Sequence, residues 1–293
     1  MMNAAVKPAW LRKPVTDTAA KRGMNALLKE KRLHTVCREA RCPNLSECFG
    51  AGTATFLILG TVCSRQCAFC AVEKGRPLPV DNAEPGRVAE AAAALKLTHV
   101  VVTSVTRDDL PDNGAAHFAE TVLSIRRRLP GASVEVLTPD FQGSRENLET
   151  VLSSGPDVFN HNLETVPRLY SIRPRASFAR SLSILTCARK LAPAALVKTG
   201  VLVGMGETKE EVLDLITSAA LAGCDILTVG QYLSPSRSHW PVAEYVRPSL
   251  FEEYRVFGLS QGIRNVFSGP LVRSSYRAGR FVNDPTYNKR RVE

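Results

Sequence analysis

Thr55-Phe56-Leu57-Ile58-Leu59 is followed, three residues later, by Cys63-Ser64-Arg65-Gln66-Cys67-Ala68-Phe69-Cys70. The first run is apolar without alternation, the pattern of a strand buried on both faces. The second places three thiols on one short loop, and no fourth Cys or His follows at zinc spacing. Three thiolates leave one iron of a cubane cluster unclaimed, so that iron can take a substrate or a second cofactor. Four cysteines would close the site to all but electron storage and transfer.

Working outward, the strand pattern recurs at 99–104, 133–137, 157–160, 196–203 and 225–229. Ala- and Leu-rich stretches of helical period lie between these runs, at 87–96, 115–129, 145–153, 178–191 and 209–222. Helices between successive buried strands force parallel pairing with right-handed crossovers. The expected fold is therefore α/β, a partial (β/α)6 TIM-like barrel. An open doubly wound sheet is the alternative, but no G-x-G-x-x-G follows the first strand. In a barrel, chemistry gathers at the carboxyl ends of the strands, where the cysteine loop would lie. Three segments are expected: an N-terminal extension over 1–52, the barrel over 53–235, and a C-terminal extension over 236–293. Helices are expected around 21–32 and 249–261, and both extensions should pack on the barrel.

The composition is that of a globular chain, and the apolar runs at 53–61 and 99–105 are far too short to cross a bilayer. No secretory hydrophobic segment is evident, and a cytoplasmic setting is expected. In such a reducing compartment, clustered cysteines point to metal binding or catalysis rather than disulfides. The formal charge of +10 is terminal: residues 1–48 hold ten Lys and Arg against four Asp and Glu, and residues 271–293 hold six against two. Basic ends suit an acidic protein partner, nucleic acid or an anionic surface, and are otherwise a solvated exterior.

The C-x3-C-x2-C loop after the first strand of a β/α barrel, with an aromatic (Phe69) before its last cysteine, resembles the radical S-adenosylmethionine (SAM) superfamily. The resemblance implies that Cys63, Cys67 and Cys70 hold a 4Fe–4S cluster whose fourth iron is chelated by SAM. Reductive cleavage then yields a 5′-deoxyadenosyl radical, able to abstract hydrogen from an unactivated carbon. The rival readings, a zinc or electron-transfer site, normally want four protein ligands.

Upstream, Cys37-Arg-Glu-Ala-Arg-Cys42-Pro-Asn-Leu-Ser-Glu-Cys48 is similar to the auxiliary-cluster motif of the lipoyl synthase family, and Arg273-Ser-Ser-Tyr276 to that family's C-terminal serine motif. The resemblance covers roughly residues 30 to 280. It implies a second 4Fe–4S cluster on Cys37, Cys42 and Cys48 with a serine as fourth ligand: Ser275, with Ser274 as the fallback. A hydroxyl is a weaker iron ligand than a thiolate, which should ease the opening of that cluster. Phe49 stands where the family has tryptophan. Thr103 and Ser104 end the second strand. Asn162 and Glu164, after the fourth, are expected to meet the cofactor's amine and ribose. Gly200-Val-Leu-Val-Gly204-Met-Gly-Glu207 fits the superfamily's G-x-I-x-G-x-x-E pattern, and its glycines would let an adenine approach the backbone. Arg175 is expected on the cofactor's carboxylate, and Arg173 and Arg273 on substrate. Cys187 and Cys224 read as core residues. His99, His117 and His239 have no partner at ligand spacing and are assigned no role.

What the family implies is insertion of two sulfur atoms, at C6 and C8, into an octanoyl chain on a carrier-domain lysine, with the auxiliary cluster consumed as the sulfur source. The implied partners are 2-oxoacid dehydrogenase E2 subunits and glycine cleavage H protein, an electron donor such as ferredoxin or flavodoxin, and an iron–sulfur carrier. Nucleic acid and membrane are not expected. Another radical SAM sulfur-inserting or methylthio-transferring enzyme is one alternative. A two-cluster electron carrier is the other, and it leaves the barrel and the Gly200 to Glu207 string without use.

Overall fold

The computed structural model describes residues 7–14, 16–276, 278 and 279. An N-terminal helix α1 (Ala19–Glu30), capped by the Thr18 hydroxyl, leads to a two-residue strand β1 (His34–Thr35) and two short helices, α2 (Val36–Glu39) and α3 (Leu45–Gly50). The barrel begins with β2 (Thr55–Ile58), all four residues buried, and continues through the small parallel pair β3 (Val62–Cys63) and β4 (Glu73–Lys74). Strands and helices then alternate: α4 (Glu84–Ala94), β5 (His99–Ser104), α5 (Ala115–Arg128), β6 (Ser133–Leu137), α6 (Arg145–Ser153), β7 (Val158–Asn160), α7 (Phe178–Leu191), β8 (Leu196–Val203), α8 (Lys209–Leu221), β9 (Ile226–Gln231), α9 (Pro248–Ser260) and β10 (Asn265–Gly269).

The main sheet has the order β1-β2-β5-β6-β7-β8-β9-β10, parallel throughout except for β1, which runs antiparallel to β2. All six expected β/α units are present. A seventh parallel strand follows them, because β10 pairs with β9 over five residues, from Asn265 opposite Ile226 to Gly269 opposite Gly230. The sheet therefore continues past residue 235. Asn265-Val-Phe-Ser-Gly269 has only two adjacent apolar side chains between polar residues and glycine, and pairing with a buried neighbour makes it a strand.

The outer core between sheet and helices is built from one register of the strands, including Val100, Val102, Val134, Val136, Phe159 and Val201. The other register faces the lumen and includes Val101, Val158, Leu196 and Ile226, against which Ala278 of the C-terminal segment packs. A buried polar cluster also lies among these strands. Lys198 donates to both oxygens of Glu135 at 2.8 and 3.0 Å, and Asn160 Nδ2 adds a third bond at 3.0 Å. Lys198 holds the Glu135 carboxyl down to about 2 despite complete burial.

Candidate active site

The cysteine loop leaves β2 through a bend made at two left-handed residues, Leu59 (φ 66°) and Gly60 (φ 93°). That bend is pinned from both sides. Leu59 N–H donates to the buried Glu84 carboxylate at 2.8 Å, and its carbonyl accepts from Arg107 Nη1 at 3.2 Å. Farther along, Ala68 N–H donates to the Ile172 carbonyl at 2.8 Å, its carbonyl accepts from Trp240 N–H at 2.9 Å, and Cys70 N–H closes onto the Cys67 carbonyl at 3.2 Å.

All eight cysteines are free thiols. Burial pushes Cys37 up to about 11 and Cys48 and Cys70 up to about 12, and raises Cys67 against the opposing charge of Arg173. At neutral pH such thiols become thiolates only on binding a cationic centre. Among the described residues no group of three or more His, Cys, Asp and Glu is set around a single metal ion. The two triplets, six thiols with one serine beside them, are a donor set suited to clusters, in which each ligand takes a separate iron.

Cys37, Cys42, Cys48, Phe69, Cys70 and Ser275 line one cavity of about 760 Å³, although their positions span 239 residues of sequence. A hollow of similar volume, about 800 Å³, lies on the outer side of α4 and α5 among Lys31, Arg127, Arg128 and several alanines. It holds no cysteine and none of the expected site residues.

Tertiary contacts bring the serine segment to the cysteines. Asn44, between Cys42 and Cys48, donates to the Leu271 carbonyl at 2.7 Å, and Tyr276 Oη donates to Glu47 at 2.6 Å. Lys13 closes this clasp: its ammonium pairs with Glu47, donates to Asn44 Oδ1 at 2.7 Å and sits 5.2 Å from the centre of the Tyr276 ring. Both serines line the cavity and differ in what they touch: Ser274 Oγ donates to Asn162 Oδ1 at 2.9 Å, whereas the Ser275 hydroxyl has no hydrogen bond among the described residues. Arg273 lines the same cavity, within electrostatic reach of Cys42.

The other expected site residues converge to different degrees. Asn162 Nδ2 donates to Glu164 Oε1 at 3.0 Å, and Glu164, held at φ 66°, has its carboxyl raised by burial. Thr103 Oγ1 is spent on the Leu137 carbonyl at 2.9 Å, while the buried Ser104 hydroxyl has no partner among the described residues. Gly200 is tightly enclosed: a Cβ there would meet Ser274 Oγ at 2.6 Å and Asn162 Oδ1 at 2.7 Å. A Cβ on Gly204 would meet the Gln231 side chain and the Glu244 carbonyl, and Glu207 binds the backbone N–H groups of Gly204 and Met205. The two arginines part company. Arg173 stacks 4.9 Å from the Tyr170 ring centre, donates to Tyr170 Oη at 2.7 Å, and exerts its charge on Cys67 and Glu164. Arg175 is 69% exposed and lies 3.7 Å from Asp108. Sequence reasoning passed over Arg65, Glu84, Asp140 and the Lys13–Glu47–Tyr276 clasp. Only spatial pairing distinguishes them from ordinary charged residues.

Residues 57–219 match the sequence model of the radical SAM superfamily. Solved structures with the same fold include methylornithine synthase (TM-score 0.55, 16% identity, covering 86% of this chain and 79% of that one) and SuiB of Streptococcus suis bound to S-adenosylmethionine (TM-score 0.57, 12% identity, covering 77% and 54%). The chain is thus a radical SAM protein, built on a largely parallel barrel. The lipoyl synthase of Caldanaerobacter subterraneus is 54% identical over 93% of this chain and 95% of its own, and that of Geobacter metallireducens is 53% identical over 96% and 99%. The chain belongs to the lipoyl synthase family, sulfurtransferases that depend on SAM and 4Fe–4S clusters.

Proposed function

We propose that the two cysteine triplets divide the reaction between them, Cys63, Cys67 and Cys70 holding the resident cluster, and Cys37, Cys42, Cys48 and Ser275 holding a second cluster that is spent as sulfur donor. The substrate is an octanoyl chain on a carrier-domain lysine, and the products of the two insertions are C–S bonds at C6 and C8. One observation carries this reading: all three cysteines of the first triplet, Ser275 and Cys70 of the second triplet line a single cavity, with Cys63 and Cys67 outside its lining. A chain lying there meets both centres without leaving the protein.

When bound, the resident cluster and SAM supply a 5′-deoxyadenosyl radical, the reagent that hydrogen abstraction from an unactivated carbon requires. The chain's own residues bind and orient. Phe69 walls the cavity, Ser104 offers an uncommitted hydroxyl, and the Asn162–Glu164 pair presents amide and carboxyl groups beside Gly200. Arg173, rather than Arg175, is assigned to the cofactor side, because its charge acts on Cys67 and Glu164. Ser274 is a strut to Asn162, which leaves Ser275 as the ligand. Arg273, against Cys42, is left for the substrate side.

Exposed Lys7 and Arg41 line the same cavity, so its mouth is basic, as an acidic carrier domain requires. E2 lipoyl domains and glycine cleavage H protein are the proposed carriers, with a ferredoxin or flavodoxin as reductant and an iron–sulfur carrier restoring the spent cluster. Eight free thiols suit a reducing, cytoplasmic compartment. No helix among the described residues is long and apolar enough to cross a membrane.

The test is anaerobic reconstitution followed by addition of SAM, reductant and an octanoyl-lysine peptide. Mass spectrometry should find 5′-deoxyadenosine and a peptide carrying two added sulfurs. Cofactor cleavage without thiolated peptide would point to another sulfur-inserting or methylthio-transferring enzyme, and absence of cleavage to an electron carrier.

A further inference from the structure

Arg65 lies inside the C-x3-C segment, between Cys63 and Cys67, where a long charged side chain would ordinarily reach into solvent. Instead its side chain is 5% exposed and forks between two carboxylates that are 5% and 1% exposed. Nε donates to Asp108 Oδ2 at 2.8 Å, and Nη2 donates to Asp108 Oδ1 at 2.9 Å and Asp140 Oδ1 at 2.6 Å. Each partner residue is itself held. The Asp108 backbone N–H donates to Ser64 Oγ at 3.0 Å, and Ser64 Oγ donates to the Thr106 carbonyl at 2.9 Å. Asp140 accepts from Gln142 N–H at 3.1 Å and from Arg180 Nη1 at 3.3 Å. Arg180 also donates to the Arg175 carbonyl at 2.8 Å, and Arg175 lies 3.7 Å from Asp108.

We propose that Arg65 is the positioning residue of the cysteine loop, a bidentate staple that fixes Cys63 and Cys67 relative to the segments after β5 and β6 by bridging Asp108 and Asp140. The proposal rests on the reading that this loop holds the resident cluster. Three observations support it. The bonded partners are 43 and 75 residues away, so the staple joins separate strand ends and does not merely brace the loop against itself. Carboxylates this buried persist only when paired. The planar fork, with two of its nitrogens engaged on two carboxylates, is a geometry that an ammonium does not reproduce. Neighbours of Asp108 after β5 serve the same loop: Arg107, bound to Asp109, holds the Leu59 carbonyl at the loop's entry, and Asp108 holds its middle.

The test compares Arg65→Gln, Arg65→Lys and Asp108→Asn with the unaltered chain in two assays. In metal-free protein, the rates of alkylation of individual thiols by iodoacetamide are followed by peptide mass spectrometry. Cys63 and Cys67 should react at least tenfold faster in both Arg65 variants, with Arg65→Lys as impaired as Arg65→Gln, while buried Cys224 is unchanged. In the reconstituted holoenzyme, the change that SAM induces in the electron paramagnetic resonance spectrum of the reduced resident cluster should be weakened, with the second cluster's iron retained. Rates within twofold of the unaltered chain would overturn the proposal, and so would a parallel rise at Cys224, which would mark general loosening. Restoration by Arg65→Lys would overturn the staple. The alkylation assay needs no cluster, so it decides the role of Arg65 even if the proposed division of the triplets fails.

Discussion

Ser274 and Ser275 are adjacent and chemically identical, and one hydrogen bond, from Ser274 to Asn162, distinguishes them. Because Ser274 is engaged with Asn162, Ser275→Ala should abolish the spectroscopic signature of the second cluster and leave that of the resident cluster. Ser274→Ala should retain both clusters and weaken SAM binding severalfold through Asn162, as read by equilibrium dialysis. Loss of the second cluster in Ser274→Ala alone would reverse the assignment. His161 makes a second residue-scale prediction. It is buried, its Nδ1 lies 2.9 Å from the Thr138 carbonyl, and burial depresses it from 6.5 to about 4. The folded state therefore binds fewer protons than the unfolded chain below pH 6.5, and stability is lost as pH falls from 6.5 towards 4. The size is about 3 kcal/mol at most. Thermal unfolding of the metal-free protein should show a midpoint falling over that window, and the dependence should flatten in His161→Gln. Thiol spacing made the cysteines readable, because three ligands on one loop are a local pattern. Arg65 was not readable, since nothing in Ser-Arg-Gln announces partners at 108 and 140.

Short elements bear the site, and their positions come from contacts between distant segments. Helices α2 and α3, four and six residues long, are far below the length at which an isolated helix is stable, so packing must define them. The Lys13–Glu47–Tyr276 clasp supplies part of that packing and ties the serine segment across them. Glu47→Ala removes the shared partner of Lys13 and Tyr276. Amide exchange over 271–276 should then accelerate by about tenfold, equivalent to ~1.4 kcal/mol, measured by mass spectrometry, while β5 and β8 stay protected. Equal protection in variant and parent would show that the clasp is incidental. The six β/α units were legible because their strands are short runs rich in Val, Ile and Leu between helix-length segments. Strand β10 was not, because its pairing with β9 rather than its composition makes it a strand.

At the scale of the whole molecule, a parallel sheet open at one side is completed by its extensions. Val272 and Ser274 occupy space that side chains at Gly230 and Gly200 would fill, and Ala278 packs on the lumen layer of Val101, Val158, Leu196 and Ile226. Within the barrel, Lys198 and Glu135 are wholly buried and mutually dependent. Glu135→Ala removes the buried carboxylate that Lys198 and Asn160 share and should cost about 3–5 kcal/mol in chemical denaturation, whereas Glu135→Leu with Lys198→Met should recover most of that loss. A double variant no more stable than the single would mean that the pair is needed for the barrel itself. By itself the sequence determined the donor chemistry and the β/α alternation, because ligand spacing and hydrophobic period are local properties of a chain. Tertiary structure alone decided which serine hydroxyl is bonded to Asn162, which arginine acts by its charge on Cys67, and that Arg65 is buried between two carboxylates. Each of those is a matter of burial and of hydrogen bonds between residues 10 to 112 positions apart, and such distances are set only when the sheet and its extensions pack.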